Sequence, residues 1–592
     1  MIYCTWRSVL TVRELACGPK VTRAARHATL SARSSGFSRT LGRPRSPGRR
    51  NWPIGLLVAV LFIAVLWLPL TGATAAGSDA AHSSSTITAS LDIGAAQPNL
   101  VRSFFGINGE SAQTAAFTTV PKLGTYLNST PIGMIRYSAG EDECNVTSNT
   151  DWSPGLLGGV ATPGCAYDIA SFAAWCDSLS PHCESDVGLP GENNDSSEDA
   201  YYAQYIVNTL GFQPTYWSIG NEPISWTHYG IPWKNWKITD DSTATGTAYA
   251  VDVRNAVKAV SAVDPAAQFV GIQSYWCPDT TYTDPTAAID GNSVDAMACH
   301  VYTNDGTSTP STQQYFASLT GPHSITSNYY AIQDHIESLC NTCGSIPIQI
   351  SEYQGGPVSV PAPQDRQYDG AIWLAASLVQ AADAGIPSVQ IFDLQGTSGC
   401  QFCLLNSNYD PDAQGLLLSD VFENVELGHP VYNVTVSSSD SNLWATVIHD
   451  WATNETQVLF VNANVSHAET FGVMTKFFGV GQPGSIISWN NSAPTPTSTS
   501  YHALPSRITV PSVGLVLITV TPKSGSAHQR PVTPVPTDPS SVTQAAVLGA
   551  HAFWLPAGTG MTYLALAAAP GASEPGPRLP RRRTTPSSLR DR

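Results

Sequence analysis

Eight apolar runs recur between residues 103 and 394, each parted from the next by a stretch long enough to carry the chain back across a sheet. They read SFFGING (103–109), GMIRYSAGEDE (133–143), SDVGLPGENN (185–194), YWSIGNEP (216–223), QFVGIQS (268–274), VDAMACHVY (294–302), IPIQISEY (346–353) and SVQIFDL (388–394). Helical patterns fill several gaps: DAYYAQYIVNTLG (199–211), TAYAVDVRNAVKAVSAV (247–263), TSNYYAIQDHIESLC (326–340) and GAIWLAASLVQAADAG (370–385). A strand followed by a returning helix places the next strand parallel to the first. Eight such units over about 300 residues predict a (β/α)8 TIM barrel with loop insertions. A doubly wound open sheet is the competing arrangement, but no Gly-rich phosphate loop follows the first run.

From residue 425 the period changes. PVYNVTVSSS, LWATVIHDW, TQVLFVNAN and RITVPSVGLVLITVTP alternate apolar and polar residues between polar turns, with no helical stretch. That pattern predicts a β-sandwich over 425–522. TITASLDI, within the segment 77–95, is a further strand available to it. The barrel is then assigned to 96–424. Residues 523–592 are rich in Pro, Ala and Ser and read as a disordered tail, whose apolar middle, broken by Pro and Gly, is a weak candidate for a C-terminal anchor.

Residues 1–76 form a basic leader ending in the uncharged run IGLLVAVLFIAVLWLPL (54–70) and then small residues. Basic, apolar, small is the order of a secretion signal, and an uncleaved membrane tether through 54–70 is the alternative. Either reading exports the rest. Ten cysteines follow the leader, Cys144, Cys165, Cys176, Cys183, Cys277, Cys299, Cys340, Cys343, Cys400 and Cys403, and an even number in an exported chain implies disulfides. Sequential pairing is the expectation. CNTC (340–343) and CQFC (400–403) leave a four-thiolate zinc site as the alternative. Residues 52–522 carry 10 basic residues against 41 acids, a formal charge of −31. Such a surface repels polyanions, which argues against nucleic acid and against densely sulfated glycans as partners. It also suits an acidic milieu, where few buried ion pairs mean few to lose.

In a (β/α)8 barrel the chemistry collects at the C-terminal ends of the strands. The second run delivers Arg136 there, the fourth Asn221 and Glu222, the sixth His300 and Tyr302, and the seventh Glu352, Tyr353 and Gln354. Two glutamates, on strands nearly opposite across the mouth, are what glycoside hydrolysis needs: one protonated to release the leaving oxygen, one ionised to attack the anomeric carbon. In this reading Glu222 is the acid/base and Glu352 the nucleophile. Arg136 and Tyr302 support Glu352, Asn221 meets the sugar's 2-hydroxyl, and His300 and Gln354 join the substrate-binding set. Trp217, Trp226, Trp233 and Trp236 are candidate stacking faces. Taken singly, each has an ordinary structural reading; the joint pattern of N-E-P and S-E-Y carries the case.

SIGNEP (218–223), ISEY (350–353), Arg136 and the pair His300 and Tyr302 resemble the clan A glycoside hydrolases, retaining enzymes on a (β/α)8 barrel. Within the clan, GNEP, CHVYTNDG, EYQGGP and the stretch DGAIWLAASLVQAADAGIPSVQIF are most similar to glycoside hydrolase family 79, which includes heparanases and β-glucuronidases. The resemblance implies a β-glycosidase acting on an oligo- or polysaccharide without cofactor or metal. No Lys/Arg cluster for a sulfated chain is evident, so a plain uronide is the expected substrate rather than heparan sulfate. Two alternatives stand beside it: a clan A glycosidase of another family acting on a neutral sugar (xyloside, glucoside or arabinofuranoside), and a cell-surface protein that binds glycans without cleaving them. A transglycosylase would use the same residues.

Overall fold

The computed structural model describes residues 88–521 apart from 110–119, 138–168, 190–194, 224–242, 275–279, 304–309, 341, 344–345, 356–362, 395–402, 438–441 and 473–480. The apolar run 54–70 and the tail lie outside the described residues, and so do Trp226, Trp233 and Trp236. No described helix is long and apolar enough to cross a membrane.

The first strand, β1 (Thr88–Leu100), belongs to a second sheet. The next eight close into a parallel barrel in sequence order: β2 (Phe105–Asn108), β3 (Met134–Tyr137), β4 (Glu184–Leu189), β5 (Tyr216–Ile219), β6 (Phe269–Ser274), β7 (Ala296–Tyr302), β8 (Ile348–Gln354) and β9 (Val389–Ile391), with β9 pairing back onto β2. The eight apolar runs are these eight strands, as the alternation predicts.

Below the mouth, the barrel interior departs from the usual filling of branched aliphatic side chains. Asp186, Gln273, Gln349 and Gln390 are all buried. Gln390 Nε2 donates to Gln349 Oε1 at 3.3 Å, and Gln273 Nε2 to Asp186 Oδ2 at 3.4 Å. Glycine at 106 follows from this packing, since a Cβ there would stand 2.6 Å from Gln390 Cγ.

The remaining strands are β10 (His429–Ser437), β11 (Leu443–His449), β12 (Thr456–Asn462), β13 (Glu469–Gly472), β14 (Gly484–Asn490), β15 (Thr497–Tyr501), β16 (Arg507–Val510) and β17 (Gly514–Val520). With β1 they form one nine-stranded sheet, ordered β15-β14-β17-β12-β11-β10-β1-β13-β16. β1 pairs antiparallel with β10 and, at its start, parallel with β13. The sheet turns over through β1, so β13 and β16 cover the inner face of the longer strands. Phe460 and Phe471 meet across that layer at 4.3 Å, within a core that includes Val447, Ile508 and Val516.

The outer face of this sheet rests on the barrel through the helix Tyr368–Ala384. On one side Trp373 stacks on Tyr353 of β8, 5.0 Å apart and 12° from parallel, and Ser377 Oγ accepts from Tyr353 OH at 2.7 Å. On the other side Tyr368 OH bonds the carbonyls of Trp489 (2.9 Å) and Val513 (2.8 Å), and Thr446 Oγ1 donates to Asp383 Oδ1 at 2.8 Å. A helix covered on both faces must be apolar nearly all round, which accounts for the composition of GAIWLAASLVQAADAG.

Cys176–Cys183 and Cys340–Cys343 are disulfides between sequence neighbours, and Cys299 and Cys403 are disulfide-bonded as well. CNTC closes on itself, so the four-thiolate zinc alternative is corrected: its sulfurs are oxidised and carry no thiolate for a metal. Cys144, Cys165, Cys277 and Cys400 lie outside the described residues.

Candidate active site

The site is built on one buried cation. Arg136, at the end of β3, is fully buried. Its Nη1 donates to Glu352 Oε1 at 2.8 Å and to Asn108 Oδ1 at 2.7 Å, and its Nη2 donates to Asn221 Oδ1 at 2.6 Å. A buried guanidinium is tolerated when a carboxylate and several acceptors compensate its lost water, and all three partners stand at strand ends around the mouth. Tyr302 OH donates to the other carboxylate oxygen, Glu352 Oε2, at 2.6 Å. Glu352 therefore sits between a cation and a phenol, both of which favour its ionised form.

Glu222 is placed differently. β5 ends at Ile219 and the chain turns through Gly220, at φ 73°, into Glu222, at φ 44°. A non-glycine residue in that region costs of order 1 kcal/mol. Glu222 N donates to Gln273 O at 2.9 Å, which holds the turn. The side chain is more exposed than that of Glu352, 13% against 5%. Its Oε1 lies 2.7 Å from His300 Nδ1, which is also 3.2 Å from Glu352 Oε2. The imidazole thus bridges the two carboxyl groups, and ligand atoms of Glu222, His300 and Glu352 all lie within 4.8 Å of one another. A trio of that size is large enough for a divalent cation, but the Arg136 charge against Glu352 opposes a second cation there.

How Glu352 comes to face the mouth is a matter of register. Ile348 and Ile350 belong to the apolar shell, while Gln349 bonds Gln390 inside the barrel. Strict alternation would send Glu352 outward with the isoleucines. Against β7, however, Cys299 pairs with Ile350 and His300 pairs with Glu352. Ser351 is an extra residue, a bulge that shifts the parity of the strand by one. Beyond it Glu352 turns inward to Arg136, and Tyr353 turns outward onto Trp373.

Five expected site residues converge at the mouth of the barrel around Arg136: Asn221, Glu222, His300, Tyr302 and Glu352. Asn221 gives its carbonyl oxygen to Arg136, which leaves its amide nitrogen as the end available to donate outward. Gln354 is a correction. It is fully buried, its Nε2 donates to Phe392 O at 3.0 Å and pairs with Gln414 at 3.2 Å, and its Oε1 accepts from Gly355 N at 2.8 Å. It braces the backbone behind the site and does not present itself to a substrate. Trp217 is a second correction: it is fully buried in the shell with Nε1 on Asp264 Oδ2 at 3.0 Å, so it is packing rather than a stacking face. Asn108 is a residue that strand-end reasoning missed. The signal for it is the same as for the others, a polar residue closing an apolar run, here SFFGIN at the end of β2.

No family model matches the chain, and no curated protein matches it. Among solved structures it is similar to the family 51 arabinofuranosidase of Xanthomonas axonopodis pv. citri, at 10% identity over 74% of this chain and 100% of that one, with a TM-score of 0.57. It is also similar to the family 44 xyloglucanase of Paenibacillus polymyxa (14%, 74% and 100%, TM-score 0.53) and to a bifunctional glucanase-xylanase from a metagenome library (13%, 74% and 99%, TM-score 0.53). At such identities the likeness establishes the fold: a (β/α)8 barrel with an appended β-sheet domain.

Proposed function

We propose that the protein is a retaining β-glycosidase. The observation that carries this reading is the pair of carboxyl groups at the ends of β5 and β8, with an oxygen of each within 4.8 Å and a buried guanidinium bonded to Glu352. Retaining glycosidases hold their carboxyl groups about 5–5.5 Å apart, too close for a water between them and close enough for direct attack. Glu352 attacks the anomeric carbon while Glu222 gives its proton to the leaving oxygen. In the second step Glu222 takes a proton from water, the water oxygen attacks the same carbon, and the bond to Glu352 breaks. The amide nitrogen of Asn221 binds the 2-hydroxyl. The solved neighbours, an arabinofuranosidase, a xyloglucanase and a glucanase-xylanase, support the reaction class.

The substrate we propose first is a β-glucuronide, on the resemblance of the GNEP, CHVYTNDG and EYQGGP stretches to family 79. We take the target to be an extracellular glycan: the apolar run at 54–70 reads as an export segment, and the disulfides suit an oxidising compartment. A panel of aryl glycosides of glucuronic acid, glucose, xylose, galactose and arabinofuranose, at acidic and neutral pH, tests the reading. Glu352→Ala should abolish release, and Glu222→Ala should retain it only on phenols that leave without a proton. Full activity of Glu352→Ala would remove the assignment, and release from a neutral sugar alone would remove the glucuronide.

A further inference from the structure

Glu352 can attack only while it faces the mouth, and the parity of β8 has to change by one residue for it to do so. The Ser351 bulge interrupts the pairing: bulges are rare in parallel pairs, and the extra residue leaves the ladder. β8 is irregular on both sides here, with register shifts against β7 and against β9.

Asn108 meets the Ser351 carbonyl. Its Nδ2 donates to Ser351 O at 2.9 Å, and its Oδ1 accepts from Arg136 Nη1 at 2.7 Å. In the barrel order β9 lies between β2 and β8, so this side chain reaches past a whole strand to the bulge. Its own backbone is fixed on both flanks: Leu394 N donates to Asn108 O at 3.1 Å, and Gly109 N to Arg136 O at 3.0 Å. The side chain is fully buried, and both ends of its amide are committed. One end caps the residue before Glu352, and the other orients the cation that binds Glu352. We infer that Asn108 is the positioning residue of the nucleophile, setting its direction through the Ser351 carbonyl and its charge partner through Arg136. This rests on the glycosidase reading for its kinetic consequence, not for its geometry.

The role demands a donor and an acceptor at fixed separation, which an amide supplies and a carboxylate of the same size does not. In Asn108→Asp the Ser351 carbonyl faces an oxygen, and Arg136 is shared between two carboxylates. Asn108→Ala removes both contacts. The test uses the full chain, with crystal structures of both variants and kinetics on whichever 4-nitrophenyl glycoside the wild type cleaves best. The expected result is that Glu352 leaves Arg136, that kcat falls about 100-fold, as for a misplacement of an ångström, and that KM changes little. In Asn108→Asp the acidic limb of kcat/KM should also move towards neutral pH, because a second carboxylate competes for the cation. A role confined to folding would lower the melting temperature without moving that limb. The inference is overturned if Glu352 keeps its bond to Arg136 in Asn108→Asp with kcat unchanged. Should Asn108→Ala not fold, Asn108→Asp, of equal volume, decides alone. Should the wild type cleave nothing, the glycosidase reading fails, and the position of Glu352 in the variant crystals still decides the role of Asn108.

Discussion

Replacing Asp252 by asparagine should stabilise the protein at neutral pH and leave it unchanged in acid. Asp252 lies on the helix Thr243–Ser261 and is 2% exposed. Burial, and after it the charge of Asp195, raises its carboxyl from an ordinary 3.8 to about 7. Nearby Asp199, on the helix Ser196–Gln204, is pushed well above its ordinary value by burial and then by the charges of Asp252, Asp195 and Glu198. Between about pH 4 and 7 the folded protein therefore holds a proton on Asp252 that the unfolded chain has lost. The stability from this group is complete below the unfolded value and is lost as pH rises through about 7. About three pKa units at 1.36 kcal/mol each set a ceiling of about 4 kcal/mol. Relaxation around a newly charged group recovers part of that, so about 2 kcal/mol is the working figure. An asparagine in place of this carboxyl cannot ionise and keeps the volume. The Asp252→Asn variant should therefore exceed the wild type by that amount at about pH 8 and by nothing at about pH 4. Urea denaturation of both proteins at about pH 4, 6 and 8 reads it directly as a midpoint difference at constant slope. A difference that does not grow with pH refutes the reasoning.

Three further outcomes are expected. Tyr302→Phe removes the phenol from Glu352 Oε2, and the acidic limb of kcat/KM should move up, with kcat lower by roughly tenfold, in a pH–rate series. Arg136→Met leaves Glu352 buried without its cation; unfolding should be easier by about 3 kcal/mol and activity should be lost, as seen by calorimetry and assay. Trp217→Phe breaks the bond to Asp264 and should cost about 1–2 kcal/mol in stability with KM unchanged, which a stacking role would not permit.

The barrel was legible because each strand is a short run of residues buried on both faces, bounded by residues that cannot continue it. Asn221 and Glu222 were legible for the same reason: an amide and a carboxylate that follow Trp217, Ser218, Ile219 and the glycine at 220 have no place in a core. Glu352 was legible by motif only. Alternation from Ile348 and Ile350 points it the wrong way, and one inserted residue, Ser351, reverses the answer. No local pattern announces a bulge, and the side chain that bonds its carbonyl, Asn108, lies more than two hundred residues away in the chain. Gln354 failed for a related reason. Proximity in sequence to Glu352 placed it at the mouth, but its amide is consumed by Phe392, Gly355 and Gln414, two of which fold back from later in the chain. Trp217 shows the limit of composition: an aromatic residue next to a catalytic motif is as useful to the shell as to a sugar.

The helix Tyr368–Ala384 has a bearing on how the molecule comes apart. It belongs to two cores at once, stacking on β8 through Trp373 and bonding the sheet domain through Tyr368 and Asp383. Neither half can lose its structure without exposing a face of this helix that is largely apolar. β1 compounds the linkage, since it precedes the barrel in the chain yet pairs in the sheet that follows it. Two architectures joined in this way should melt as one cooperative unit, with a single heat-capacity peak, and a protease should find no clippable joint between them.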